Sequence, residues 1–155
     1  MIVEVTDAAA TSELRRSVLR PQWPVGATMH GDDEPGALHL AARDDRGMVI
    51  GACVLLPRPC PSRPDEPDAW QLRGMVTVSE LRGSGVGTAL TAAAIDAVAS
   101  RGGSLLWCDA RESAIGFYAA RGFTGTGGSY AHPETGAPHL LMYRELSDSP
   151  GTSTS

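Results

Sequence analysis

The sequence predicts an α/β fold, a mixed sheet with helices packed on its faces, contained in one domain. Three observations predict it. Strand-like and helix-like segments alternate along the chain, a glycine-rich turn joins one strand to the longest helix, and the 155 residues, 42% of them hydrophobic, suffice for a single core. No apolar run is long enough to span a membrane.

The elements follow in order. Residues 2–5 read as a strand, and 12–20 as a helix with Leu14 and Val18 one turn apart, stopped by Pro21 and Pro24. After a polar, turn-rich stretch over 26–36, two β-leaning runs at 37–43 and 48–56 flank Asp44-Asp45-Arg46-Gly47 and predict a hairpin. Prolines 59, 61 and 64 make 57–67 a loop. Then come a strand over 70–78, a helix over 85–101, a strand over 104–109, a helix over 112–121, and strands over 123–130 and 139–146. The strands on either side of the long helix should be parallel, because a crossover helix returns the chain in the same direction. Val86, Leu90, Ala94 and Ala97 share that helix's sheet-packing face, and Ile95 falls nearly opposite. The expected domain is 1–146, and the Ser, Thr, Gly and Pro of 147–155 predict a disordered tail.

Charge and cysteine content narrow the function classes. Eighteen acidic residues against thirteen basic ones, all arginine, give −5, which disfavours a nucleic-acid partner. Cys53, Cys60 and Cys108 are odd in number without C-x-x-C spacing, and Met1 to Thr11 lacks a signal-peptide pattern, so reduced thiols in the cytoplasm are expected. His30, His39, His132 and His139 lack metal-site spacing, and no metal is predicted.

The most informative segment is Arg82-Gly83-Ser84-Gly85-Val86-Gly87-Thr88, between a strand and a helix. Its glycines permit a sharp turn and close approach of backbone N–H groups, and a helix N-terminus favours an anion. No Lys-Ser/Thr follows, and the spacing is not G-x-G-x-x-G, so the common nucleotide loops do not fit. The R-x-x-G-x-G pattern resembles the acyl-CoA pyrophosphate loop of the GNAT superfamily of N-acyltransferases. A second segment, Trp107-Cys108-Asp109-Ala110-Arg111 followed by Ala114-Ile115-Gly116-Phe117-Tyr118 and Arg121-Gly122-Phe123, is similar to that family's N-x-x-A-x-x-F-Y-x-x-x-G-F. Residues 138–142 look like the last strand of one group of small bacterial members. The motifs cover 70–146 well, and the first 69 residues only by general pattern.

The resemblance implies a mostly antiparallel central sheet flanked by helices, acetyl-CoA as co-substrate, and a primary amine as acceptor. It places backbone contacts to the pantetheine arm at Met75, Val76 and Thr77, and phosphate contacts at Arg82 through Thr88. Tyr118 matches the family tyrosine that protonates the departing thiolate. A phenol near pKa 10 and a thiol near 8.5 differ by about 2 kcal/mol, so that transfer is slightly uphill and the acid helps without being indispensable. Arg111 replaces the usual Asn and is charged for a phosphate contact instead. The strand carboxylate of some relatives is Leu106 here. His139 is therefore the leading general base, ahead of Asp109 and Glu112, because imidazole titrates near neutrality. Cys108 reads as an inert strand thiol. The acceptor is expected to be a small-molecule amine or amino acid rather than a protein N-terminus, shaped by 12–20, 57–67 and 130–138. A homodimer is compatible with all of this. The alternative reading is a non-catalytic acyl-CoA-binding module on the same fold.

Overall fold

A computed structural model describes residues 1–25, 34–133 and 136–146. The expected tail at 147–155 and most of the turn-rich stretch at 26–36 lie outside the described residues. The described strands are β1 (Ile2–Thr6), β2 (Leu38–Arg43), β3 (Val49–Pro57), β4 (Ala69–Thr77), β5 (Leu105–Arg111), β6 (Thr124–Ala131) and β7 (Pro138–Glu145). The helices are α1 (Ala8–Leu19), α2 (Val86–Ala99) and α3 (Ile115–Ala119), with 3-10 turns at Ser79–Leu81 and Glu112–Ala114. The sheet order is β1-β2-β3-β4-β5-β7-β6. Pairing is parallel where β4 meets β5 and antiparallel at β1–β2, β2–β3, β5–β7 and β7–β6, as the crossover helix requires.

The chain divides into two compact units. Met1–Pro57 and Leu72–Ala97 form the first, and Arg58–Gln71 with the chain from Val98 onward forms the second.

In the first unit, Asp7 starts α1 by accepting the Ala10 N–H on Oδ1 at 2.9 Å, which moves the helix start ahead of the expected Ser12. Its buried positions are Thr11, Arg15 and Arg16, whereas Leu14 and Val18 are only half-buried. Arg15 fits because Gly74, with φ of +60°, has no side chain. A Cβ there would meet Arg15 Cδ at 3.2 Å. The Arg15 Nε donates to Thr11 Oγ1 at 3.3 Å, and its aliphatic stem takes the place of an apolar residue. The β2–β3 turn is held by Asp44 Oδ1, which accepts from the Arg46 and Met48 N–H groups at 2.9 and 3.0 Å. All of Ile50 to Leu56 is buried, as in a strand covered on both faces. On α2, Val86, Leu90, Thr91, Ala94 and Val98 are buried. Ala97 and Ile95 are both half-buried, so the inward stripe passes through Val98 rather than the expected Ala97.

In the second unit, Ala69–Gln71 of β4 pairs with Leu105–Trp107 of β5, which pairs in turn with β7. Cys60, Ala69, Leu105 and Trp107 form a small core on one sheet face, with Leu141 and Tyr143 packed against it. The helix expected over 112–121 is instead a 3-10 turn leading into the five-residue α3, which packs against β5 and β6. Gly122, with φ of +89°, then redirects the chain into β6.

The predicted loop at 57–67 is a strap across the same face. The Arg58 N–H donates to the Ala69 carbonyl at 3.1 Å, and the Arg58 carbonyl accepts from Trp107 Nε1 at 2.9 Å. Arg63 Nη1 donates to Glu145 Oε1 at 2.6 Å while its guanidinium lies 5.3 Å from the centre of the Tyr143 ring.

Candidate functional site

The glycine segment lies in the first unit, between the 3-10 turn at Ser79–Leu81 and α2. The backbone turns at Gly83 (φ +84°) and Gly85 (φ +97°), conformations that L side chains rarely adopt. Gly87 lies inside α2 and needs no such conformation. The Ser84 N–H and hydroxyl both donate to the Leu81 carbonyl, which holds the turn. Gly85 is the first acceptor of α2, receiving the Ala89 N–H at 3.0 Å, so the first-turn donors begin at Val86 and Gly87. Arg82 through Gly85 are exposed, and nothing lies within 4 Å of where a Cβ on Gly83 or Gly85 would be. Val86 is buried, Gly87 half-buried and Thr88 exposed, so Val86 anchors the turn from below. The result is an open, exposed turn from which a 14-residue helix starts, which fits a phosphate-bearing group.

Of the residues ascribed to the pantetheine arm, Val76 is buried, and Met75 and Thr77 are half-buried. The side chain of Val76 serves the core, which leaves only its backbone for a ligand. All three lie outside the β4–β5 ladder, which spans Ala69–Gln71.

Tyr118, on α3 in the second unit, is 6% exposed. It packs edge-on to Phe117 and Phe123, with ring centres 5.1 and 5.3 Å away. Its carbonyl accepts from the Arg121 and Phe123 N–H groups, so the turn after α3 fixes the residue from its backbone side. Arg111 is exposed at the end of β5 and stands opposite His139 in the β5–β7 ladder. Glu112 is exposed at the start of the adjoining 3-10 turn.

His139 is buried, with Nδ1 2.9 Å from the Ala137 carbonyl. A carbonyl only accepts, so this contact assigns the proton to Nδ1 and leaves the Nε2 lone pair as the basic site. The His132 ring is 4.6 Å away, and the Tyr130 ring 6.4 Å.

A cleft of about 480 Å³ lies wholly within the second unit. Trp107 and Asp109 of β5, Leu141 of β7 and Thr126 of β6 line its sheet side. Pro61 and Ser62 of the strap, with Tyr130 and Pro133, form its rim. Tyr130 opposes His139 and Thr126 opposes Leu141, so four steps along β6 match two along β7, a register shift between Thr126 and Tyr130. The Tyr130 hydroxyl bonds to the Asp109 carboxylate, and burial together with that anion pushes the Tyr130 pKa upward. Cys108, on the strand beside it, is buried, and burial followed by the charge of Asp109 raises its thiol pKa well above the ordinary value. That makes it a poor nucleophile, in keeping with an inert thiol. The sequence reading named the 12–20, 57–67 and 130–138 segments as pocket walls; residues of the last two line this cleft, and none of 12–20 does. It missed Trp107, Thr126 and Leu141, which only the strand register brings together.

Among the described residues, no group of three or more His, Cys, Asp or Glu side chains is arranged to hold a metal ion. No described helix is long and apolar enough to cross a membrane.

The acetyltransferase (GNAT) family model matches residues 7–123, which include both the glycine turn and Tyr118. The chain belongs to the GNAT family. It is 30% identical over 145 residues to the "Uncharacterized N-acetyltransferase YitI" of Bacillus subtilis (strain 168), covering 93% of this chain and 95% of that protein. Among solved structures it is similar to an aminoglycoside 6'-N-acetyltransferase complexed with coenzyme A, with a TM-score of 0.77, 18% identity, and 97% and 99% of the two chains covered. An IAA acetyltransferase from Bacillus cereus ATCC 14579 gives a TM-score of 0.73 and 17% identity, covering 94% of this chain and 99% of that one. At such identities the structural likeness speaks to the fold alone. Family membership makes this GNAT chain an acyltransferase.

Proposed function

We propose that this GNAT protein transfers the acetyl group of acetyl-CoA to a primary amine by direct attack in a ternary complex. The observation that carries the cofactor assignment is the open turn at Gly83 and Gly85 leading into α2. A structural neighbour holds coenzyme A, which supports the same reading.

Bound acetyl-CoA supplies an activated thioester carbonyl. The turn from Arg82 to Thr88 holds the pyrophosphate through backbone N–H groups, and the Arg111 guanidinium offers a further phosphate contact. The backbone of Met75, Val76 and Thr77 orients the pantetheine arm, and an N–H of this segment donates to the carbonyl oxygen as negative charge develops there. His139, through Nε2 and directly or by way of water, accepts the proton that the acceptor nitrogen must lose. A C–N bond forms, the C–S bond breaks, and Tyr118 delivers its phenolic proton to the departing sulfur. An ammonium acceptor loses two protons: the first leaves through His139 to solvent before attack, and the second, released from nitrogen once the C–N bond has formed, restores the Tyr118 phenol, so no net proton stays on the protein. The acceptor is a small-molecule amine rather than a protein N-terminus, because the cleft beside Asp109 has the volume of a small-ligand site.

The test is calorimetric titration with acetyl-CoA, with ATP and NAD as controls, followed by a thiol-release assay over an amine panel. Selective saturable binding with amine-dependent release of coenzyme A is the expected result. Silence with acetyl-CoA overturns the cofactor assignment, and binding without turnover on any amine leaves an acyl-CoA-binding module.

A further inference from the structure

Resting on the acetyltransferase reading above, we propose that the cleft beside Asp109 selects a singly charged primary amine with an apolar body. The ammonium meets the Asp109 carboxylate, and the body lies against Trp107, Tyr130 and Leu141.

The composition of the walls carries this. Among the described lining residues, Asp109 is the one carboxylate and none is an arginine. A carboxylate on a wall shared with Trp107, Leu141, Pro61 and Pro133 has lost part of its water and favours a cation. Tyr130 satisfies part of it by donating a hydrogen bond. A carboxylate offers about four acceptor sites, so there is room for an ammonium with its three donors.

The rest of the surface sets the body of the ligand. The indole N–H of Trp107 is committed to the Arg58 carbonyl, so the ring offers the cleft an apolar face and no donor. The aromatic ring of Tyr130 also lines the cleft, and an aromatic face suits a cation or a second ring. Ser62 and Thr126 provide the remaining polar side chains among the described lining residues. A polyhydroxylated amine would bring more hydroxyls than these walls can partner, and each unpartnered one is costly. An arylalkylamine or a branched alkylamine matches the count of one charge and one apolar body.

The experiment titrates the full chain, with and without saturating coenzyme A, with 2-phenylethylamine, its neutral counterpart 2-phenylethanol, and glucosamine. We expect 2-phenylethylamine to bind at least tenfold tighter than the other two. Asp109→Asn should remove the preference over 2-phenylethanol while leaving 2-phenylethanol binding unchanged, since Asn keeps the shape and still accepts from Tyr130. Equal binding of amine and alcohol, absence of amine binding in both conditions, or an undiminished preference in Asp109→Asn each overturns the assignment. Acetyl-CoA titrated separately keeps the two readings apart. Amine binding without acetyl-CoA binding supports the cleft and sinks the transferase reading, and turnover of amines indifferent to Asp109→Asn does the reverse.

Discussion

Gly51 of β3 lies directly beneath Val86 of α2: a Cβ on Gly51 would come within 2.6 Å of Val86 Cγ1. Leu90 Cδ1 would be 2.9 Å away and the Val76 carbonyl oxygen 3.1 Å. The first turn of α2, which begins at the glycine turn proposed as the phosphate cradle, is thus seated on a strand that has no side chain at that point.

Gly51→Ala should therefore push α2 off β3 or force rotamer changes, costing about 1–3 kcal/mol as overpacked cores do. Urea denaturation would read this as a lowered midpoint with an unchanged slope. Acetyl-CoA affinity should fall with it, because Val86 anchors the cradle. A variant as stable as the parent would mean that the contact relaxes freely.

Gly85→Glu tests the cradle itself. The added side chain has open space, so the folding cost is confined to the strained backbone, about 1–2 kcal/mol. The carboxylate sits where a phosphate is proposed to bind, and calorimetry should show acetyl-CoA affinity falling at least tenfold. Retained affinity in a folded variant would remove the loop from the cofactor site.

Tyr118→Phe keeps the ring that packs on Phe117 and Phe123 and deletes only the proposed acid. Turnover should drop roughly tenfold to a hundredfold, at the low end of what general acids supply, with acetyl-CoA affinity kept. Unchanged turnover would leave Tyr118 as a core aromatic and nothing more.

His139→Gln removes the proposed base. Turnover should be low near neutrality and recover as pH climbs toward the pKa of the amine, where the acceptor arrives already deprotonated. A uniform loss at all pH values, with no recovery, would point to a structural role through the contact with Ala137.

Cys53 gives a prediction about alkaline stability. Burial pushes its thiol up to about 12 from an ordinary 9.0, although the charge of Arg15 works in the opposite direction. The folded state holds this proton more tightly than the unfolded state does. Its contribution is complete below pH 9, where the unfolded thiol is also protonated, and is lost as pH rises toward about 12. Denaturation midpoints followed from pH 8 to 11 should fall less steeply in Cys53→Ala than in the parent. Parallel slopes would show that the thiol ionises alike in both states.

The order of strands and helices was legible because hydrophobic periodicity is local, and the parallel β4–β5 pairing followed from the helix between them. The glycine turn was legible because φ values of +84° and +97° leave few choices of residue. Other features depend on distant neighbours. The buried Arg15 requires the missing side chain of Gly74, so a helix read by its leucines and valines assigns the inward face wrongly. The Asp109–Tyr130 pair requires two residues of slippage in β6, which an alternating pattern does not announce. The short α3 reads from sequence as a longer helix because the 3-10 turn before it shares nearly the same period.

The cleft has walls of two unequal kinds. Its sheet side is set by register, so a change at Trp107 or Leu141 disturbs packing as well as binding. Its rim at Pro61 and Ser62 belongs to a strap tethered at its ends and at Arg63, with both residues exposed. Changes of preference can accumulate at these two positions with little loss of folding, so related enzymes with a common sheet would diverge first at Pro61 and Ser62, while Cys60 in the core and Arg63 at its tether stay fixed.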